Sequence, residues 1–345
     1  MTAARIEELL NKMDDLRVVA DGGADDGFTL TAIMRNEMHF LPQFLPHYRK
    51  LGVSRFVVLD DRSDDGTREY LAAQPDVITL ESNYRYKDRL RKDTAELAKA
   101  VSGRVPIIWR NILLRNFAKD VWSIHVDADE FLDLPDKMDL PSLARKLDGQ
   151  DFDMVWSAMI DMYPAGLQEL YDMRDDPVID FDRPWYFDGC RHLLPVPGFL
   201  PRVTYAGSRA RLMMLHGLNP KSGWLHRRCP RLFRRFPMRY NAIRKPAFLR
   251  FRDGMVLRSP HNLTGKASVR MTLPLRHYKF NGAIADRIAW ALETKGYSGG
   301  SAEYQSLQQL LGSMDEGDGS FVAPVSRRYT GFRDFAATGN AMGFR

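Results

Sequence analysis

The chain reads as an α/β protein built on a mostly parallel sheet with helices on both faces. Three observations predict this. Short apolar runs alternate with segments of helical period through the first 160 residues or so. Polar clusters follow several of those runs directly, where ligands collect in parallel sheets. The composition, 44% hydrophobic and 27% charged over 345 residues, is globular and long enough to bury a sizeable core. It excludes a disordered, collagen-like or coiled-coil chain. Two cysteines, Cys190 and Cys229, exclude a disulfide scaffold and fit a reducing cytoplasm. No apolar run approaches the roughly 20 residues of a membrane helix. The first residues lack an apolar signal core, so the expectation is a cytoplasmic protein.

The elements follow in order. Residues 2–17 carry Ile6, Leu9, Leu10, Met13 and Leu16 on one helical face, with Thr2 able to cap it. Residues 21–27 read as an acidic, Gly-rich linker. Phe28 to Met34 is a strand. Asn36 to Leu51 is a helix with Pro42 tolerated in its first turn, Pro46 able to kink it, and Gly52 ending it. Val53 to Leu59 is a second strand, Thr67 to Ala73 a short helix, and Val77 to Leu80 a third strand. Residues 88–100 and 106–118 read as helices, Val121 to Val126 and Asp153 to Ile160 as strands. From about 161 to 230 the pattern gives way to Pro-, Gly- and aromatic-rich loops. Short strands resume at Ala247–Phe251 and Met255–Leu257, and Ala283 to Lys295 is a helix ended by Gly296. A polar, Gly-rich tail follows, with a helical piece near 302–311. No internal repeat is evident. The boundaries expected are 1–27, 28–150, 151–296 and a tail over 297–345.

The net charge is +6, but it is unevenly spread. Between Arg202 and Lys279 there are 19 basic residues and one acidic residue, Asp253, a local charge of +18. The rest of the chain, with 31 basic and 43 acidic residues, carries −12. Such a span is either a solvated mixed surface after folding or a site for an anionic partner.

Three polar clusters sit at strand ends: Arg35-Asn36-Glu37, then Asp60-Asp61-Arg62-Ser63-Asp64-Asp65-Gly66-Thr67, then Asp127-Ala128-Asp129-Glu130. A parallel sheet would bring them to one rim. Two carboxylates one residue apart after a buried strand need neutralising. A hard cation such as Mg²⁺ or Mn²⁺ does this, and so would a merely polar turn open to water. Ser63, Asp64 and Thr67 suit helix capping, whereas Asp60 and Asp61 come too early for it and suit ligand contact. No Gly-x-Gly-x-x-Gly follows the first strand, and there is no phosphate-binding G-x-x-x-x-G-K-[ST] loop, HExxH or CxxC. Phosphate would have to be met by a metal and basic side chains.

In order and spacing these three motifs closely resemble those of family 2 glycosyltransferases of the GT-A fold, in the branch whose metal motif reads Asp-x-Asp-Glu-Phe and which is related to family 92. The resemblance covers residues 28–135, weakens over 150–280, and is absent from 1–27 and the tail. It implies a GT-A, Rossmann-like sheet, with a nucleotide-sugar-binding half over 28–150 and a loop-rich acceptor half over 151–296. It implies that Arg35 and Glu37 lie beside the nucleotide, with Asp60 and Asp61 near base and ribose. Arg115-Asn116 resembles a donor-contacting pair that precedes the metal motif, and an ordinary helix surface explains it equally well. Asp127 would face ribose or metal, and Asp129 would hold Mn²⁺ or Mg²⁺ against the diphosphate. His277 or His261 would complete the metal shell, with His277 preferred. Lys279, or alternatively Arg276, would meet the diphosphate.

The implied reaction is inverting transfer of a sugar from a UDP-linked donor to a hydroxyl of a glycan or glycolipid, in surface polysaccharide synthesis. Such transfer needs a base opposite the leaving group. Asp161 and Asp188 are the candidates, Asp188 for its aromatic neighbours in Trp185-Tyr186-Phe187-Asp188. The usual paired Glu-Asp base motif is not evident. The arginines between Arg227 and Arg239 could hold the enzyme at an anionic inner membrane face. No nucleic-acid-binding module is present, so nucleic acid is not expected as a partner. A phosphatase of the haloacid dehalogenase type also places Asp-x-Asp after a strand, but that motif continues Gly-Thr or Gly-Val, not Glu130-Phe131. A glycan-binding protein without activity would not need intact Asp127 and Asp129.

Overall fold

A computed structural model describes residues 3–23, 26–88, 104–198, 200–218, 243–295 and 298–344. The helix expected over 88–100 and the arginines from Arg227 to Arg239 lie outside the described residues, Asp88 excepted. Cys229 does too, while Cys190 is a free, half-buried thiol.

The chain is α/β, with one nine-stranded mixed sheet whose central strands are mostly parallel and flanked by helices. Its strands, in chain order, are β1 Arg17–Asp21, β2 Thr29–Met34, β3 Arg55–Asp60, β4 Val77–Glu81, β5 Trp122–His125 and β6 Glu130–Leu132. Then come β7 Met154–Asp161, β8 Arg244–Arg250 and β9 Ala267–His277. Across the sheet the order is β1-β4-β3-β2-β5-β8-β7-β9-β6. β4, β3, β2 and β5 run parallel, as does the β7–β9 pair. The expected strands 28–34, 53–59, 77–80, 121–126 and 153–160 are all present, and β2 and β7 are buried along their whole length. Burial at every position is what strands covered on two faces show.

Three strands run against the mostly parallel set. β8 runs antiparallel to both β5 and β7, and β1 and β6 are antiparallel edges. The N-terminal helix spans Ala3–Met13, ending four residues earlier than expected, and β1 follows between it and the expected linker. The eleven-residue β9 was not expected, although Val269, Met271, Leu273 and Leu275 alternate with Ser268, Arg270, Thr272, Pro274 and Arg276 in a strand's two-residue period. The helix Leu41–Lys50 begins five residues later than expected. Asn36 takes a left-handed φ of 53°, which blocks helix at that point. Within 161–230 there are helices at Leu167–Asp172 and Gly207–Leu215, and a further unexpected helix spans Leu140–Leu147.

The tail is part of the body. Its helix Ser298–Asp315 packs on the helix Ile284–Thr294, with Leu307, Leu310 and Met314 buried in a second apolar cluster. Its strand Ser326–Arg328 pairs with Tyr186–Asp188. The main core lies between the sheet and the helix Leu41–Lys50, where Phe40, Phe44, Tyr48 and Phe131 meet at ring distances of 4.8–6.4 Å. Among the described residues no helix is long and apolar enough to cross a membrane.

Candidate functional site

A cavity of about 700 Å³ opens at the carboxyl ends of β2, β5, β7 and β9. Arg35, Glu37, Asp127, Asp129, His277 and Lys279 all line it.

The first two strand-end loops are stitched together before any ligand is considered. Asn36 N–H donates to Ser63 Oγ (3.0 Å), Glu37 N–H to Thr67 Oγ1 (2.8 Å) and Met38 N–H to Asp65 Oδ2 (3.1 Å). The Asn36 amide group also exchanges bonds with Asp64, at 2.6 and 3.0 Å. Ser63, Asp64 and Thr67 therefore join the two loops instead of capping the helix Thr67–Ala72, whose N-cap is Gly66 at φ 94°. A side chain at Gly66 would be strained in that conformation. Arg35 donates to the carbonyls of Asp61 (2.6 Å) and Arg62 (3.0 Å), and its guanidinium lies 5.3 Å from the Trp290 ring centre.

Asp60 does not reach the cavity. It is buried, accepting from Ser63 and from Arg68 Nε at 2.9 Å, so its role is to shape the loop. Asp61 is likewise buried and outside the cavity lining. Its Oδ2 accepts from Tyr86 N–H (3.2 Å), Oδ1 is buried without a hydrogen bond, and burial pushes its carboxyl up to about 6. Arg115 and Asn116 are elsewhere: both bond Asp14 (2.9 and 2.8 Å) and Arg115 also bonds Asn11, tying the first helix to Val105–Phe117. A second Arg-Asn pair, Arg110-Asn111, lies five residues earlier on the same helix. Arg110 lines the cavity, and Asn111 bonds Leu257 through both backbone groups (2.9 and 2.8 Å). The same dipeptide occurs twice in one helix, so the signal was present and only burial distinguishes the copies.

The acidic third cluster is neutralised largely from within. Asp127 Oδ1 accepts from Arg110 (2.7 Å) and Oδ2 from Lys245 (2.9 Å). Burial opposes its charge, but the two cations outweigh burial and hold the carboxyl well below its usual range. Both Asp127 oxygens are engaged by protein cations, and the side chain still lines the cavity beside Asp129. Arg110 also bonds His125 Nε2 (2.8 Å), so His125 Nδ1 carries the proton toward Thr31 Oγ1 (2.8 Å). Glu130 pairs with Lys245 and accepts Asp127 N–H (2.7 Å), while burial and the neighbouring carboxylates push it up to about 7. Arg287, on the helix Ile284–Thr294, bridges Glu37 (2.6 Å) and Asp129 (3.3 Å). Burial raises Glu37 to about 7 despite that partner. Lys245, Arg110 and Arg287 were not foreseen. Each meets its carboxylate across at least 17 residues of sequence.

His277 stands at the end of β9. Its Nδ1–H donates to Asp161 (2.7 Å), and its Nε2 lies 3.7 Å from Asp129 Oδ2. Asp161 is buried, also accepts from Arg209 Nε (2.9 Å), and is held below the ordinary carboxylate range: burial works against it, Arg209 and His277 outweigh it. It orients His277 and does not line the cavity, so the structure does not place it as a base. Asp188 is further removed. It is buried and accepts from Tyr163 (2.6 Å), Tyr205 (2.5 Å) and Arg211 (2.9 and 3.0 Å), a full set of partners for one carboxylate. Arg276 is also structural: it pairs with Asp133 (2.9 Å) inside a box of Phe131, Phe181, Tyr278 and Tyr329 rings. His261 lines the cavity with Nδ1 donating to Arg244 O (3.0 Å), and burial lowers it to about 4.

Among the described residues no three His, Cys, Asp or Glu side chains stand together as a ready metal cage. Asp129 and His277 are two suitable donors side by side, and the Asp161 bond fixes His277 in the orientation that metal-binding histidines commonly need. One carboxylate and one imidazole fit a Mn²⁺ or Mg²⁺ whose shell is completed by phosphate and water.

No protein-family model matches this chain, and a search of curated proteins finds no match either.

Proposed function

We propose that the chain is a GT-A glycosyltransferase that moves a sugar from a UDP-linked donor to a hydroxyl of a glycan or glycolipid, with inversion. One observation carries the reading: the Arg35-Asn36-Glu37 loop, the Asp127–Glu130 loop, His277 and Lys279 border one cavity at the strand ends. The cavity has the size of a small-molecule site. When Mn²⁺ or Mg²⁺ is bound, Asp129 and His277 hold it, and it supplies Lewis acidity for diphosphate departure. Arg287, on leaving Glu37 and Asp129, and Lys279 would meet the departing diphosphate. Tyr86 suits the base and ribose, and Trp290, braced by Arg35, suits the face of a ring. Asp127 supports this reading over a haloacid-dehalogenase phosphatase, because a nucleophile bonded on both oxygens by Arg110 and Lys245 is poorly free to attack. Work at a cytoplasmic membrane face, on a growing polysaccharide, is part of the proposal.

The test is a thermal-shift screen of nucleoside diphosphate sugars with and without Mn²⁺. A ligand that binds only the folded state raises the melting temperature. UDP-sugars should do so with Mn²⁺, and Asp129→Asn should lose the Mn²⁺-dependent part. No shift with any donor would overturn the reading.

A further inference from the structure

Seven carboxylates border the cavity; five are committed elsewhere, and a sixth, Asp286, stands largely in solvent. Asp127, Asp129 and Glu130 belong to the strand-end motif and its cations. Glu37 is paired with Arg287, and both Asp65 oxygens accept backbone N–H groups, from Thr67 (3.0 Å) and Met38 (3.1 Å). The Asp286 side chain is 81% exposed and faces Arg174 at 3.9 Å.

Glu303 differs from all of them. It comes from the helix Ser298–Asp315 of the tail, far in sequence from the three motifs. Its Oε1 is held by Arg209 and faces Lys279 Nζ at 3.9 Å. Its Oε2 makes no hydrogen bond among the described residues, and the side chain is 40% exposed. One oxygen is thus anchored and the other keeps its hydrogen-bonding capacity, on a side chain that lines the cavity. Lys279 is anchored in turn by Tyr304, its ammonium 3.1 Å from the hydroxyl and 4.4 Å from the ring centre. Burial opposes ionisation of Glu303, but Lys279 and Arg209 outweigh it, so the group is an anion at neutral pH.

We infer that Glu303 is the general base of the transfer, receiving the acceptor hydroxyl's proton on Oε2. The inference rests on the glycosyltransferase reading and fills the place that Asp161 and Asp188 cannot. The acceptor oxygen bonds to the sugar's anomeric carbon as its proton passes to Glu303. The bond from that carbon to the diphosphate oxygen breaks, and the electron pair leaves with the diphosphate. Arg209, Lys279, His277 and Asp161 are the charged groups around the base.

The test uses the full chain, with UDP plus Mn²⁺ as the binding probe. Release of UDP from UDP-glucose, UDP-galactose and UDP-N-acetylglucosamine is the turnover assay, since water can stand in for the acceptor hydroxyl. Glu303→Gln should keep the wild-type melting shift with UDP and Mn²⁺ while kcat falls roughly 100-fold or more, the usual contribution of a general base. Glu303→Asp should fall between the two. If Glu303→Gln turns over at the wild-type rate while Asp129→Asn is inert, the base lies elsewhere and the glycosyltransferase reading stands. If Glu303→Gln loses the UDP shift along with turnover, Glu303 is structural and the inference fails. If the wild type neither binds UDP nor releases it from any donor, the reading itself falls, and the base with it.

Discussion

Lys245 offers the sharpest test of how this site is held together. Its side chain is 1% exposed and its ammonium contacts both Asp127, at 2.9 Å, and Glu130. Lys245→Met keeps the volume and removes the charge, leaving two carboxylates short of a cation. Removing one partner of a buried ion pair costs about 3–5 kcal/mol, because the remaining charge stays desolvated. In a chain of this length each kcal/mol moves the melting temperature by about 2 °C, so a fall of roughly 5–10 °C is expected. Arg110 still holds Asp127, which puts the outcome toward the lower end. The double variant Lys245→Met/Glu130→Gln removes the stranded charge and should recover about half of the loss. Acid should also help the single variant. Glu130 stands near 7 even beside Lys245, and without that cation it protonates more readily. A carboxyl raised in the folded state gains stability as pH falls, so the gap to wild type should narrow between about pH 8 and pH 6. The assay is thermal unfolding by circular dichroism without added metal. A single variant within about 1 °C of wild type at pH 8, or a double variant no better than the single, would refute the reasoning.

Other outcomes follow from the same geometry. Arg115→Ala should leave the UDP and Mn²⁺ melting shift intact and cost about 1 kcal/mol through the first helix, whereas Arg110→Met should weaken that shift; equal effects in a binding titration would contradict the assignment. His47 donates Nε2–H to Leu132 O (2.8 Å), and burial, with Arg276 nearby, lowers it to about 3. A depressed histidine adds stability above its unfolded pKa and loses it below, so wild type should lose on the order of 1–2 kcal/mol more than His47→Gln between about pH 7 and pH 5, read by urea unfolding at each pH. Arg287→Met frees Asp129 from its guanidinium, and Mn²⁺ titration should show binding at least as tight as wild type; a loss of Mn²⁺ binding would show that Arg287 builds the site instead of competing for it.

Much of the site was legible because its motifs are local. Arg35-Asn36-Glu37, Asp60–Thr67 and Asp127–Glu130 each follow a short apolar strand directly. Parallel pairing then brings the first and third to one cavity and bonds the second to the first. The same locality explains the misreadings. Asp60 and Asp61 are neighbours with equal claims in sequence, and both are buried outside the cavity lining, Asp60 held by Ser63 and Arg68 and Asp61 by Tyr86 N–H. Arg110-Asn111 and Arg115-Asn116 are the same dipeptide on one helix, and the turn of the helix buries one pair and exposes part of the other. The alternation in β9 is a local strand signal, but Asp161, the partner of His277, lies 116 residues away on β7, and only the pairing of the two strands brings them together.

The sequence by itself determined the α/β class, the core strands and the contrast between an acidic half and a segment of charge +18. Only the tertiary structure decided what that contrast is for. Arg209 meets Asp161 and Glu303, Arg211 meets Asp188, Lys245 meets Asp127 and Glu130, and Arg276 meets Asp133. The described part of the basic segment is in large measure the counter-charge of the acidic strand ends. The reason is electrostatic: a carboxylate leaving water needs a cation within a few ångströms, and the chain supplies it from residues far along the sequence. Such pairing depends on where side chains meet in space, which no one-dimensional pattern encodes.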